Sequence, residues 1–340
     1  MRRSRFVVQQ DVPRARARDG EGMKRARTVL ATLTVAACLP YLTLKVIWLS
    51  GGRTGIPRGS LLLDGGATLW VLNALTVAMD CTVVLLALAL TRPWGRRLPG
   101  GLLALPLWCA GGLLGPIAVA FPLQALHSAL TGGTDGHGGT GPQEVLAGWV
   151  WTLVYTGFTV QALGLGTLFA LYVRERWGAL LRSPLRPDRP RPHPADRASR
   201  HAFTAAVLLA VPATVVHARD AVGGDGGNRI TDATFALYAV VAVAAVGVLL
   251  RSGSGARGAR ARLWPTLTAA WIGSAVLACW GGWLLVGALS GAGRHVGQRA
   301  DGVVELSYAC QTLAGLALAA VMARVLRHRT RVSSPSPVRV

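Results

Sequence analysis

Lysine is nearly absent from this sequence. Of 36 basic side chains, only Lys24 and Lys45 are lysines, and all the others are arginines. Charged residues make up only 15% of the 340 residues, whereas 51% are hydrophobic. Soluble domains of this length carry more charge and fewer uninterrupted apolar runs, so the composition excludes an ordinary soluble protein. Scarce lysine beside abundant alanine, glycine, arginine and leucine is typical of a bacterial genome rich in G and C.

Motifs for metal binding and catalysis are lacking as well. No CxxC pair occurs, and no group of cysteines and histidines has metal-ligand spacing, so we predict neither a metal site nor a cofactor. There is no Walker lysine motif, no HExxH and no GxSxG. The two Gly-x-Gly-x-x-Gly matches, at Gly136 and Gly253, do not follow a strand of a βαβ unit. The five cysteines fall in apolar runs, where we expect buried apolar side chains: Cys38, Cys81, Cys109, Cys279 and Cys310.

Long apolar runs are what the sequence does contain. Most have close to the ~20 residues that a helix needs to cross a bilayer. Because a backbone in lipid must satisfy its own hydrogen bonds, runs of this length are helices. The predicted fold is therefore an all-α polytopic transmembrane bundle with eight spans. The spans are Thr28 to Ser50, Thr68 to Leu90, Gly101 to Phe121, Val145 to Val173, His201 to His217, Ile230 to Leu250, Leu263 to Leu289 and Val303 to Leu326.

The basic residues predict the orientation of these spans. In total, 29 of the 36 lie in the two tails, in the loops after the second, fourth and sixth spans, or, for Arg324 alone, in the last turn of the eighth span. Positive residues stay on the cytoplasmic side, so we predict a bacterial cytoplasmic membrane protein with both termini inside the cell. The net charge of +21 is spread over short segments between spans. This distribution favours the lipid bilayer and its anionic headgroups as partners rather than nucleic acid.

Composition also divides the chain along its length. An Arg- and Pro-rich stretch separates the first four spans from the last four, and both tails are polar. Whether translation starts at Met1 or Met23 stays open. The predicted organisation is a disordered basic tail at 1–27, a four-span unit at 28–173, a cytoplasmic linker at 174–200, a second four-span unit at 201–326 and a disordered tail at 327–340.

The two four-span units resemble each other in sequence. Motifs of proline, cysteine, glutamine and paired glycines recur in the same order, which indicates a 4+4 parallel tandem repeat. Two units of even span number have the same orientation, and the axis relating them runs along the membrane normal. Chance is the alternative, because the chain has 42 glycines and 18 prolines. The matched positions are Pro40 with Pro212, Lys45 with His217, Cys109 with Cys279 and Gln161 with Gln311.

Polar side chains inside the spans are the candidates for function. Lys45 is costly within a membrane, and Asn73, Thr76 and Asp80 share one helical face at i, i+3 and i+7. Such groups form either a polar pathway or bonds between helices, and only for Asp80 do we weigh the two equally. Depths along the spans do not favour a Lys45–Asp80 pair, and Glu305 is a rival partner for the lysine. The predicted ligand or proton pathway comprises Lys45, Asp80, Asn73, Tyr41, Tyr155, Gln161, Glu305, Tyr308, Gln311 and His217.

One stretch carries a resemblance. The segment Pro40-Tyr41-Leu42-Thr43-Leu44-Lys45, together with the overall composition, resembles a group of uncharacterised multi-span membrane proteins from actinobacteria. The resemblance implies a multi-span architecture and no particular activity.

Three classes of function remain. The first is transport of a small solute or an ion through a site between the two halves. The second is a non-catalytic scaffold or regulatory subunit that binds a protein partner. An enzyme is the least favoured class, because clustered histidines and carboxylates are missing from the spans.

Overall fold

The computed structural model describes residues 11–64, 66–132, 145–184, 195–223, 226–251, 262–291 and 302–333. These residues form eight α-helices, each long and apolar enough to cross a bilayer, and two short 3-10 helices at Leu61–Asp64 and Pro93–Arg97. The prediction of an all-α bundle with eight spans is confirmed. The helices are α1 (Asp11–Leu49), α2 (Gly66–Thr91), α3 (Gly100–Thr131), α4 (Gly148–Arg182), α5 (Ala195–Gly223), α6 (Gly226–Arg251), α7 (Leu263–Leu289) and α8 (Gly302–Ser333).

Several helices extend into the predicted tails and linker. Helix α1 begins at Asp11, and α8 continues to Ser333, so residues 11–27 and 327–333 are helical rather than disordered. Helix formation propagates from the apolar part of each helix, and the arginines of both segments are good helix formers. An ion pair between Arg27 and Glu175 also ties α1 to α4 at this end. Residues 1–10, 185–194 and 334–340 lie outside the described residues.

Each group of four helices packs in a similar order. Helix α1 packs against α2 and α4, and α4 packs against α3; likewise, α5 packs against α6 and α8, and α8 packs against α7. The two groups differ at one place. Helices α6 and α7 pack along their length, whereas α2 and α3 make few contacts with each other. The first group is therefore open between α2 and α3.

Helices α3 and α7 form the main interface between the two groups. The Trp108 indole N–H donates to Ser274 Oγ at 3.2 Å, and the Trp280 indole N–H donates to the Leu113 carbonyl at 3.0 Å. Cys109 and Cys279 pack against the same small cluster of Trp108, Ala275 and Ala278. Polar contacts and close packing thus hold α3 against α7 in the middle of the bundle.

The bundle has two ends of different charge. We call the end where α1 finishes and α2 begins the mouth end, and the opposite end the basic end. Basic side chains of this end stand on α1, near the termini of other helices and in the loop between α2 and α3. Described basic residues there include Lys24, Arg25, Arg27, Arg92, Arg96, Arg97, Arg176, Arg182, Arg251, Arg262 and Arg327.

Candidate functional site

A cavity of about 1450 Å³ occupies the space that α2 and α3 leave between them. It begins at the mouth end, beside the exposed loop residues Gly51 and Arg53. Along α2 its lining runs from Gly66 to Val83, which is roughly 25 Å at 1.5 Å per residue. The hydrocarbon core of a bilayer is about 30 Å thick, so the cavity reaches past the middle of the bundle.

The structure places most of the predicted pathway residues on this cavity. Eight of the ten line it, including residues from α1, α2, α4, α5 and α8. Glu305 and Gln311 do not: Glu305 is half-buried elsewhere on α8, and Gln311 is buried. The eight residues that line the cavity are Tyr41, Lys45, Asn73, Asp80, Tyr155, Gln161, His217 and Tyr308.

Lys45 is buried inside the bundle, with 7% of its surface exposed. Its ammonium donates a hydrogen bond to Asn73 Oδ1. It also lies over the rings of Tyr41 and Trp48, at 4.7 and 4.9 Å from their centroids. An amide oxygen and two aromatic faces lower the cost of burying this charge, but they do not neutralise it.

Asp80 lies deeper in the same cavity and is 4% exposed. Its neighbour Gln161 is fully buried, and the Gln161 amide donates to the Ala37 carbonyl at 3.4 Å. Within the described part of the chain, neither Asp80 Oδ2 nor Gln161 Oε1 has a hydrogen-bond partner. A buried acceptor that is left unsatisfied costs about 1–3 kcal/mol, so Asp80 has capacity for a donor that the fold does not supply.

Lys45 and Asp80 stand on the same side of the cavity without forming an ion pair. Asn73, which binds the lysine, is seven residues from Asp80, or about 10 Å along α2. The Thr76 hydroxyl, between the two charges, donates to the Asn73 carbonyl of its own helix at 2.8 Å. The charges interact electrostatically, but among the described residues no Lys45–Asp80 contact falls within 4.0 Å. Glu305, the other predicted partner of Lys45, does not form an ion pair with it either.

A second polar pair borders the cavity from the other group of helices. His217 Nδ1 lies 2.8 Å from Asp232 Oδ1, and the imidazole stacks on Phe235 with ring centroids 5.0 Å apart. The pair joins α5 to α6, as Lys45 and Asn73 join α1 to α2. The sequence did not indicate Asp232 as a site residue, because it stands only two residues inside its predicted span, at the membrane interface.

Aromatic rings cover the cavity wall around the polar residues. Tyr41 meets Phe158 edge to face at 5.1 Å, and Tyr155 lies 5.7 Å from Phe121 and 5.4 Å from Trp151. All five line the cavity. The sequence reasoning missed Phe158, Phe121 and Trp151, because aromatic residues on a span are not distinguishable from lipid-facing ones without the packing. No group of three or more His, Cys, Asp or Glu side chains that could hold a metal ion occurs within the ranges that the structure describes.

A labelling prediction tests whether water fills the cavity. Cys109 lines it, whereas Cys38 is fully buried against its neighbours. In proteoliposomes, a charged methanethiosulfonate reagent is expected to modify Cys109 at least ten times faster than Cys38, because the thiol needs solvent and reagent access. Mass spectrometry of the peptides measures both rates. Equal and negligible modification of both thiols after detergent-free reconstitution would show a dry cavity.

In comparisons with known proteins, no protein-family model, no curated protein and no solved structure matches this chain. The proposals below therefore depend on the geometry of the site.

Proposed function

We propose that this multi-pass membrane protein carries a small solute or an ion across the bilayer through the cavity that contains Lys45 and Asp80. The observation that supports this best is the Asp80 carboxylate, buried on a cavity wall with one oxygen that has no partner among the described residues. A group used only for packing is normally satisfied by its neighbours. Ionisable residues inside membrane bundles are typical of substrate and ion pathways.

The size and depth of the cavity agree with this function. Ligand pockets commonly have volumes of about 300–1,000 Å³, so a volume of about 1450 Å³ accommodates a small molecule together with water. A wall that carries both charged groups and aromatic rings provides orientation and apolar contact at once.

The proposed mechanism uses two related halves, 28–173 and 201–326. Three observations support a parallel tandem repeat. The matched residues Cys109 and Cys279 pack against one cluster at the α3–α7 interface, as residues beside a two-fold axis do. The matched residues Gln161 and Gln311 are both buried, each with an Oε1 that has no partner in the described part of the chain. Corresponding helices also pack in a similar order within each half. In transporters with parallel repeats, one half moves against the other around a central site.

The proposed location is a bacterial cytoplasmic membrane, in a protein related to the actinobacterial group that the Pro40–Lys45 stretch resembles. The basic end would face the cytoplasm and its anionic lipids, and the mouth end would face outward. The charge difference between the two ends supports this orientation. In this arrangement the cavity receives its solute from outside the cell.

Proteoliposomes on a solid-supported membrane test the proposal across several classes of solute. The purified full chain is exposed to rapid jumps of amino acids, short peptides, sugars, organic cations, sodium ions or protons. We expect a current with at least one of these classes, and we expect that Asp80→Asn removes it. If no class produces either a current or uptake of radiolabelled solute into the proteoliposomes while the protein is folded, transport is wrong. Capture of a protein partner that is lost when residues 185–194 are deleted would then favour the scaffold.

A further inference from the structure

Five ionisable residues line the cavity, and three of them are already satisfied in the described structure. His217 Nδ1 and Asp232 Oδ1 lie within hydrogen-bonding distance of each other, at 2.8 Å. Arg53 is exposed at the mouth, where water solvates it. The remaining two, Lys45 and Asp80, are both more than nine-tenths buried, and no ion pair within 4.0 Å compensates either of them among the described residues.

Buried charges of opposite sign are stable when each meets an opposite charge and hydrogen bonds. An ammonium compound alone would satisfy Asp80 and leave Lys45 uncompensated. A carboxylate alone would do the reverse. A single solute with both groups satisfies both residues at once, provided that its own charges are far enough apart.

The spacing of the two residues limits the length of such a solute. Asn73, which holds the Lys45 ammonium, is about 10 Å from Asp80 along the helix. Each charge-assisted contact takes up about 3 Å. The two charges of the solute therefore need a separation between about 4 and 10 Å, depending on how far it lies from α2. The charges of an α-amino acid are closer together than this.

The cavity wall between Lys45 and Asp80 limits which chemical groups can form the middle segment of the solute. Tyr41, Phe158 and Tyr155 present aromatic surface there, and the Thr76 hydroxyl donates to the Asn73 carbonyl of its own helix. Apolar surface of this kind favours methylene or aromatic groups over hydroxyls.

We infer that the cavity recognises a bipolar solute with an ammonium group bound at Asp80, a carboxylate bound at Lys45 and an apolar segment between them. This inference rests on the proposed function and specifies its substrate class. Amino acids that carry the amine at the far end of the chain have this chemistry, as do short peptides with apolar side chains. The carboxylate is bound at the end of the cavity nearer the mouth, where Arg53 also attracts it.

A series of unbranched amino acids with terminal amines tests the length. Glycine, 4-aminobutanoate, 6-aminohexanoate and 8-aminooctanoate are titrated by calorimetry into the full chain in nanodiscs. Affinity is expected to rise from glycine to 6-aminohexanoate. It is expected to exceed that of hexylamine and of hexanoate by at least about tenfold, because each single-charge compound lacks one charged hydrogen bond. Equal affinity for 6-aminohexanoate and either single-charge compound would overturn the inference.

Two variants test which residue binds the carboxylate of the solute and which binds its ammonium group. Lys45→Met is expected to reduce the affinity for 6-aminohexanoate to that for hexylamine, with no loss of hexylamine binding. Asp80→Asn is expected to reduce it to that for hexanoate. The controls are Lys24→Met, which changes the only other lysine, and Glu175→Gln, which changes an acid outside the cavity lining. Both controls are expected to bind 6-aminohexanoate as the parent chain does.

The outcomes distinguish a failure of this inference from a failure of the proposed transport function. If the series does not bind, but an Asp80-dependent current appears with another class of solute, the bipolar ligand is wrong and transport stands. If neither binding nor current appears with any compound, both are wrong.

Discussion

Asp80→Asn is expected to abolish the solute-driven current and to raise the free energy of unfolding in the same protein. The carboxylate is 4% exposed, and its Oδ2 has no partner among the described residues. An amide carries no charge, and its N–H groups can donate to the unsatisfied Gln161 Oε1 nearby. We expect a gain of about 1–3 kcal/mol, which is the cost of one unsatisfied buried group.

Opposite changes in activity and stability are the signature of a residue kept for function. Thermal unfolding in nanodiscs and currents in proteoliposomes measure the two effects. Glu175→Gln is the matched control, since it makes the same chemical change at a half-exposed glutamate that pairs with Arg27 outside the cavity. Surface ion pairs contribute about 0–1 kcal/mol, so this control is expected to keep its current and lose little stability. A large loss of stability in Asp80→Asn would instead make the carboxylate a structural group and count against transport.

Gly315→Leu is expected to destabilise the bundle by about 3 kcal/mol or more, because it overpacks the contact between α7 and α8. A Cβ atom at Gly315 would lie 2.7 Å from the Ser274 carbonyl oxygen and 2.8 Å from Ala278 Cα. Both neighbours belong to the backbone of α7, which cannot move aside as a side chain can. The two helices would have to separate at the depth where they pack most closely.

Gly166→Leu is the control for this substitution. Gly166 also lies within a helix, but a Cβ atom there has no neighbour within 4 Å, and the residue is exposed on α4. We expect Gly166→Leu to unfold at the temperature of the parent chain or slightly above it, since leucine is a better helix former than glycine. Thermal unfolding in nanodiscs and the yield of monodisperse protein compare the two variants. Similar midpoints would mean that α7 and α8 do not approach as closely as described.

Local periodicity explains which parts of the site were predictable. Asn73, Thr76 and Asp80 were predicted on one face because a helix repeats every 3.6 residues, and all three line the cavity. Their spacing on α2 also gives the separation between the lysine and aspartate sites. The same reasoning applied to Glu305 and Tyr308 on α8, yet only Tyr308 reaches the cavity. Spacing defines a face of a helix, but it does not say what that face meets.

Partners distant in the chain were not predictable in this way. Glu305 and Asp80 were the partners considered for Lys45, and its ammonium instead donates to Asn73 and lies over Tyr41 and Trp48. The His217–Asp232 pair likewise depends on how α5 and α6 meet. Such contacts depend on the rotation and depth of each helix relative to its neighbours. Neither can be inferred from the composition of the chain.

By itself, the sequence determined that the described chain forms eight membrane-spanning helices and that polar groups share a face on α2. Both follow from short-range physics: backbone hydrogen bonds in lipid must close within a helix, and side chains repeat with its turn. Only the tertiary structure decided that α2 and α3 diverge where α6 and α7 pack closely. That difference creates the cavity and leaves Lys45 and Asp80 buried on its wall without pairing to each other, because the separation of two helices depends on every side chain between them.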